Sequence, residues 1–82
     1  MPRIPRDVSR IELARKLAGY GYHVTRQTGS HMRLTRVADG KEQHVSIPRH
    51  AALRVGTLSA ILGSVAHQLG TTKDALILDL FG

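Results

Sequence analysis

The chain of 82 residues contains no cysteine and no tryptophan. The lack of cysteine excludes a disulfide scaffold, a thiolate metal site and a cysteine nucleophile, and it is compatible with a reducing cytoplasm. No run of about 18 apolar residues is present, as a membrane span would require. No apolar segment follows the basic start, as it would in a secretion signal. We therefore expect a cytoplasmic protein that does not enter a membrane.

Acidic and aromatic residues are also few. Six Asp and Glu stand against twelve Lys and Arg, which gives a net charge of +6 with neutral histidines. This excess favours a polyanionic partner, nucleic acid first, although basic residues also keep small domains soluble. With two Tyr and one Phe, a base-stacking platform is weak, and we expect recognition dominated by the nucleic-acid backbone.

The six carboxylates are scattered and form neither an HExxH motif nor a cluster, so we expect no metal ion and no small-molecule cofactor. An alternative is a zinc site made of histidines alone, from His23, His31 and His44.

Capping residues and apolar residues at helical spacing predict two long helices. Ser9 and Glu12 have the spacing of a capping box, and Gly19 closes that segment. The second helix starts near Gly56 and ends at Gly70, because its apolar residues recur at helical spacing without a gap.

Between these helices, apolar and polar residues alternate with period two, which predicts strands. The turn signals Thr28-Gly29-Ser30 and Asp39-Gly40 separate three strands, and Pro48 ends the third. If no bulge interrupts the strands, one face holds Tyr22, Val24, Met32, Leu34, Val45 and Ile47, and the other holds His23, Thr25, Gln27, His31, Arg33, Thr35, His44 and Ser46. We expect the apolar face to pack on the helices.

A short third helix over residues 75–81 follows a cap within Thr71-Thr72-Lys73-Asp74. Its apolar side chains predict packing on the core or on another subunit. The order of the elements describes one two-layer α+β domain over residues 1–82, with a three-stranded antiparallel sheet, the helices packed on one face, and an additional short C-terminal helix.

Four motifs follow one another between residues 19 and 62. They are Gly19-Tyr20-Gly21-Tyr22, Arg26-Gln27-x-Gly29-Ser30-His31, Ile47-Pro48-Arg49-His50 and Gly56-Thr57-Leu58-x-x-Ile61-Leu62. With these four motifs in this order, the chain resembles the HicA (YcfA-like) mRNA interferase toxins of bacterial toxin–antitoxin pairs, over roughly residues 8 to 70. The resemblance implies a double-stranded-RNA-binding-domain-like fold of order α-β-β-β-α, an endoribonuclease activity on mRNA, and a HicB-like antitoxin as partner.

The resemblance transfers a catalytic role to His31 alone. A histidine serves as general acid or base because it exchanges a proton near neutral pH. Many relatives carry a second histidine directly after the first, but this chain has Met32. The second proton-transfer group stays open between His44 and His50, and the 2′-hydroxyl of the RNA is the expected nucleophile.

Residues near His31 in the motifs, together with nearby cations, are the candidates for RNA binding. They are Arg26, Gln27, Gly29, Ser30, Arg33, Lys41, Arg49 and His50. Guanidinium groups pair with phosphate oxygens in a bidentate manner. Gly29 and Ser30 have a plainer alternative role as turn formers, in which Gly29 supplies a positive φ. His23 and His44 also have a plainer alternative role, as solvent-exposed residues of the strands.

Two other function classes fit the same sequence. A non-catalytic RNA-binding module would use the same basic surface and treat His31 as one more contact. A protein-interaction module is favoured by the apolar segment Ala75-Leu76-Ile77-Leu78. This third class is compatible with the toxin interpretation.

Overall fold

The chain folds into a helix, three strands and two further helices in the computed structural model, which describes residues 3–82. The elements are α1 (Arg10–Ala18), β1 (His23–Gln27), β2 (His31–Ala38), β3 (Lys41–Pro48), α2 (Val55–Leu69) and α3 (Lys73–Phe81). The strands form one antiparallel sheet in the order β1-β2-β3. The predicted α+β class and order of elements are confirmed. Within residues 3–82, every helix is too short or too polar to cross a membrane.

Side-chain caps and a glycine set the helix ends at the residues that the sequence indicates, except that α3 begins at Lys73 rather than at residue 75. The Ser9 hydroxyl accepts a hydrogen bond from the Glu12 amide at 3.0 Å, and the Thr72 hydroxyl accepts one from the Ala75 amide at 3.1 Å. Gly70 ends α2 in the left-handed conformation, with φ of 72°. These bonds satisfy amides and carbonyls that a helix leaves unpaired at its ends.

The helices cover one face of the sheet and leave the other open. Buried side chains of the sheet and the helices form a single core, which includes Leu13, Leu17, Met32, Leu34, Val45, Ile47, Leu58, Leu62 and Val65. Full burial of such a side chain contributes about 1.5–3 kcal/mol. Leu76 and Ile77 of α3 join this core, so the predicted packing of the C-terminal helix on the core is confirmed.

A second contact holds the C-terminal end of α3 on α1. The Lys16 ammonium donates a hydrogen bond to the Leu80 carbonyl at 2.9 Å and lies 5.2 Å from the centre of the Phe81 ring. A cation in this position is attracted to the ring face. The last turn of the chain is therefore fixed by polar and aromatic contacts as well as by burial.

A β-bulge at Thr25 changes the face assignment of β1. The register shifts between Val24 and Arg26, so that Arg26 lies opposite Arg33 and Gln27 lies opposite Met32. The extra residue places Arg26 on the open face and Gln27 on the helix-facing side. The prediction that Gln27 faces away from the helices is therefore wrong.

The face assignment of β2 and β3 is confirmed, whereas that of Val24 fails in part. In β2 and β3 the buried apolar residues pair with each other across the strands, Met32 with Ile47 and Leu34 with Val45. Val24 pairs with Leu34 but is 43% exposed. The helices therefore cover the edge strand β1 less completely than the other two strands.

A chain of polar contacts fastens the last turn of α2 to the sheet. The Tyr22 hydroxyl donates to Gln68 Oε1 at 2.5 Å, and Gln68 Nε2 donates to the His44 carbonyl at 2.7 Å. Gln43 Nε2 donates to the Gln68 carbonyl at 3.2 Å and Gln43 Oε1 accepts from Arg36. Burial raises the pKa of the Tyr22 phenol, while the Arg36 charge acts in the opposite direction.

Replacing Tyr22 by Phe tests this network. Tyr22→Phe keeps the buried ring but leaves Gln68 Oε1 without its donor, so the free energy of unfolding should fall by about 1 kcal/mol at neutral pH. The raised phenol pKa means that the folded state keeps a proton that the unfolded state loses above its ordinary pKa of 10.0. Stability of the wild type should therefore decline above that pH more steeply than stability of the variant. Urea unfolding from neutral to alkaline pH measures both effects, and equal alkaline slopes would contradict the account.

Candidate active site

Most of the predicted site residues meet at one end of the sheet, where β1 ends, β2 begins and β3 ends. His31 pairs with Pro48, so the Arg49-His50 segment follows directly beside it. Arg26 pairs with Arg33, two residues further along β2. The residues brought to this end are Arg26, Gln27, Gly29, Ser30, His31, Arg33, Arg49 and His50, all of them exposed except Arg33, which is half-buried.

Lys41 lies away from this end. It pairs with Ala38, seven residues from His31 along β2, which corresponds to about 23 Å at roughly 3.3 Å per residue. It sits beside the Asp39-Gly40 turn, where both residues have positive φ values, as the predicted tight turn requires. Lys41 is therefore too far away to act together with His31 on one small anionic group.

Thr28 holds the turn that carries His31. Its hydroxyl oxygen accepts hydrogen bonds from the amides of Ser30 at 3.3 Å and of His31 at 3.0 Å. Its own amide donates to the His31 carbonyl at 2.9 Å. Thr28 was missing from the predicted site residues, although a threonine three positions before a strand start is a known way to close such a turn.

Arg49 joins the end of β3 to the same turn. Its amide donates to the Ser30 carbonyl at 2.9 Å, and its guanidinium Nη1 donates to the Thr28 carbonyl at 2.7 Å. Since a guanidinium has five N–H donors, this bond leaves others free for an anion. Arg49 is thus able to orient the turn and to face a phosphate beside it.

The His31 ring is exposed and held by one of its nitrogens. Nδ1 lies 2.9 Å from the Ser30 hydroxyl oxygen. The other nitrogen, Nε2, remains for exchange of a proton with a ligand. An exposed imidazole on a hydrogen-bonded turn, beside cationic side chains, is an arrangement suited to acid–base chemistry on a phosphodiester.

The other histidines occupy separate positions. His44 pairs with Thr35, four residues from His31 along β2, or about 13 Å away. Its Nδ1 lies 2.9 Å from Thr35 Oγ1 and its Nε2 lies 3.4 Å from Glu42 Oε2. His50 lies near His31 in the sheet, because it follows Pro48, the partner of His31, by two residues. Its amide donates to the Pro48 carbonyl at 2.9 Å.

No three histidine or carboxylate side chains within residues 3–82 come together as metal ligands. His23 and His44 flank Thr35, while His31 lies four residues away at the end of the sheet. The alternative of a zinc site built from these three histidines is therefore wrong.

Gly29 does not have the backbone conformation that its alternative role requires. The glycines with positive φ are Gly21, Gly40 and Gly70 among residues 3–82. A Cβ atom added at Gly29 would meet nothing within 4 Å. The suggestion that Gly29 supplies a positive φ is therefore wrong, and its missing side chain leaves the backbone beside His31 open.

The sequence is similar to a known protein family. A family model described as the HicA toxin of bacterial toxin–antitoxin systems matches residues 11–70. The match includes the sheet, α2 and nearly all of α1, and leaves α3 outside. No curated protein and no solved structure matches the chain.

Alanine substitutions at Gly29 and Gly40 test which of the two turns needs a glycine for its backbone conformation. Gly29→Ala should leave the free energy of unfolding unchanged or raise it by about 0.5 kcal/mol, because the unfolded chain loses freedom. Gly40→Ala, the matched control, should lower it by about 1 kcal/mol, because its φ of 73° is unfavourable for a side chain. Urea unfolding of both variants checks this, and equal destabilisation would show that the turn does need a glycine at position 29.

Proposed function

The chain belongs to the HicA toxin family of bacterial toxin–antitoxin systems, and we propose that it is a cytoplasmic, metal-independent endoribonuclease that cleaves mRNA, with His31 as general acid or base. The observation that carries the proposal is the exposed His31 ring, fixed on a turn that Thr28 and Arg49 hold together. The protein's net charge of +6 favours binding of a polyanion.

The proposed reaction uses the RNA's own 2′-hydroxyl. Its oxygen attacks the adjacent phosphorus and loses a proton, while the bond from phosphorus to the 5′-oxygen breaks and that oxygen gains a proton. The products carry a 2′,3′-cyclic phosphate and a 5′-hydroxyl. His31 performs one of the two proton transfers, a contribution typically worth about 10² to 10⁴ in rate.

Cationic groups around His31 stabilise the charge that develops on the phosphate. Arg49 lies beside His31, since its amide donates to the Ser30 carbonyl and its guanidinium donates to the Thr28 carbonyl. Donors held in place before the reaction need little rearrangement when the charge appears. Lys41, at the opposite end of β2, has no part in this step.

We assign the second proton transfer to His50 rather than to His44. His50 follows Pro48, the residue that pairs with His31. His44 lies on β3 opposite Thr35, which is four residues from His31 along β2. The His44 ring contacts Thr35 and Glu42. The geometry of the sheet therefore favours the histidine of the Pro48-Arg49-His50 segment.

A toxin of this family acts with a cognate antitoxin. We propose a HicB-like protein with acidic character that covers the end of the sheet around His31. A partner with negative side chains would be attracted by the same positive surface that attracts RNA. Such a complex would exclude RNA from His31 and keep the toxin inactive.

Replacement of His31 by Ala tests the catalytic role. RNA cleavage by His31→Ala should fall by at least about 100-fold, since a proton-transfer group is lost. RNA binding should change little, because the cationic side chains remain. Cleavage is measured on labelled RNA and binding on RNA with 2′-O-methyl groups, which cannot react. His67→Ala is the control, since His67 is exposed at the C-terminal end of α2. This variant should cleave RNA as fast as the wild type.

Equal cleavage by the wild type and His31→Ala would overturn the proposed enzyme. RNA binding without cleavage by the wild type would instead favour the non-catalytic RNA-binding module. Expression in cells tests the same role: the wild type should arrest growth, and His31→Ala should not.

A further inference from the structure

Two arginines lie side by side on the open face of the sheet. The bulge at Thr25 places Arg26 directly opposite Arg33. Like charges at directly opposite positions destabilise a sheet. Within residues 3–82 the one basic side chain at salt-bridge distance from a carboxylate is His44, beside Glu42, so no carboxylate neutralises either guanidinium. The fold thus keeps two adjacent cations together at a cost in stability.

These arginines line a shallow depression with a volume of about 250 Å³. The other residues that line it are Thr25, Thr35, Glu42 and His44. Hydrogen bonds connect its floor, since the Thr25 and Thr35 hydroxyl oxygens are 2.7 Å apart and Thr35 Oγ1 lies 2.9 Å from His44 Nδ1. The depression is therefore polar and held by side-chain hydrogen bonds.

The single carboxylate in this lining is directed to another group. Glu42 is 67% exposed and lies 3.4 Å from His44 Nε2. It pairs with Val37, four residues beyond Arg33 along β2, which is about 13 Å. The end of the depression near Arg26 and Arg33 is therefore positive, and it suits an anion that two guanidinium groups can hold together.

The spacing along β2 relates this pair to His31. Arg33 follows His31 by two residues on the same face, a separation of about 6.6 Å. Successive phosphates of an extended RNA strand are separated by a similar distance. We infer that Arg26 and Arg33 together bind the phosphate next to the one that reaches His31, so that the RNA strand runs along β2. This inference rests on the proposed function, which identifies RNA as the ligand.

Thr25 is a positioning residue for this phosphate site. Its hydroxyl lies 2.7 Å from that of Thr35 and 3.5 Å from the Arg33 carbonyl. These contacts fix the bulge, and the bulge moves Arg26 to the open face. In an unbulged strand Thr25 would occupy the place opposite Arg33, and Arg26 would face the helices.

Short RNAs that cannot be cleaved test the site. A 2′-O-methyl trinucleotide with two phosphates is compared with trinucleotides of the same bases in which one linkage is a neutral methylphosphonate. In the wild type the second phosphate should strengthen binding about tenfold, as charge-assisted hydrogen bonds do. In Arg26→Gln/Arg33→Gln the second phosphate should add almost nothing. Lys41→Gln, the control at the other end of β2, should keep the full gain. NMR titration gives each dissociation constant.

The salt dependence of binding supplies a second readout. Loss of one phosphate contact should reduce the slope of log Kd against log salt by about 0.7 for single-stranded RNA. The double variant should unfold at a temperature no lower than that of the wild type, because it relieves repulsion between the two arginines. Proper folding of the variant is thereby measured independently of RNA.

A gain from the second phosphate that persists in the double variant would overturn the assignment. So would a wild type that gains nothing, or an equal loss in Lys41→Gln. Since none of these RNAs reacts, failure here is separate from failure of the enzyme, which depends on cleavage by the wild type and His31→Ala.

Discussion

A three-stranded sheet that is apolar on one face has to bury that face, and here α1 and α2 pack on it while α3 packs against α2. The opposite face then remains open and polar. Because side chains alternate along each strand, the burial of Met32 and Leu34 places His31 and Arg33 on the open face. The hydrophobic core thus decides which side chains the open face presents, and the turn at Thr28 fixes the position of His31.

The helices and the β2–β3 hairpin are predictable because their signals are local. The caps at Ser9 and Thr72, the period of α2 and the alternation in β2 and β3 each depend on neighbouring residues. The bulge in β1 had no such signal. The residues Thr25-Arg26-Gln27 are all polar, so no apolar side chain revealed the shift. It is fixed by contacts of Thr25 with β2, which are distant in the sequence.

The sequence motifs indicate which residues come together at the His31 end of the sheet, but proximity in the sequence misleads for residues outside the motifs. Lys41 is basic and close to the motifs in sequence, but the hairpin carries it to the far end of β2. Thr28 was missed because its role depends on the path of the backbone, which its hydroxyl stabilises through the amides of Ser30 and His31. Arg26 was predicted to bind phosphate, and the bulge explains how a residue with the wrong parity reaches the open face.

The most direct test of proton transfer by His31 is to remove its imidazole by substitution and to supply free imidazole in solution. His31→Gly removes the imidazole and leaves space on an exposed turn. Cleavage by this variant should be restored in part by added imidazole, with a saturable dependence on the imidazole concentration and at the same bond that the wild type cuts. A His31→Gly variant that still binds RNA but that imidazole does not reactivate, or one that cleaves as fast as the wild type, would contradict the account.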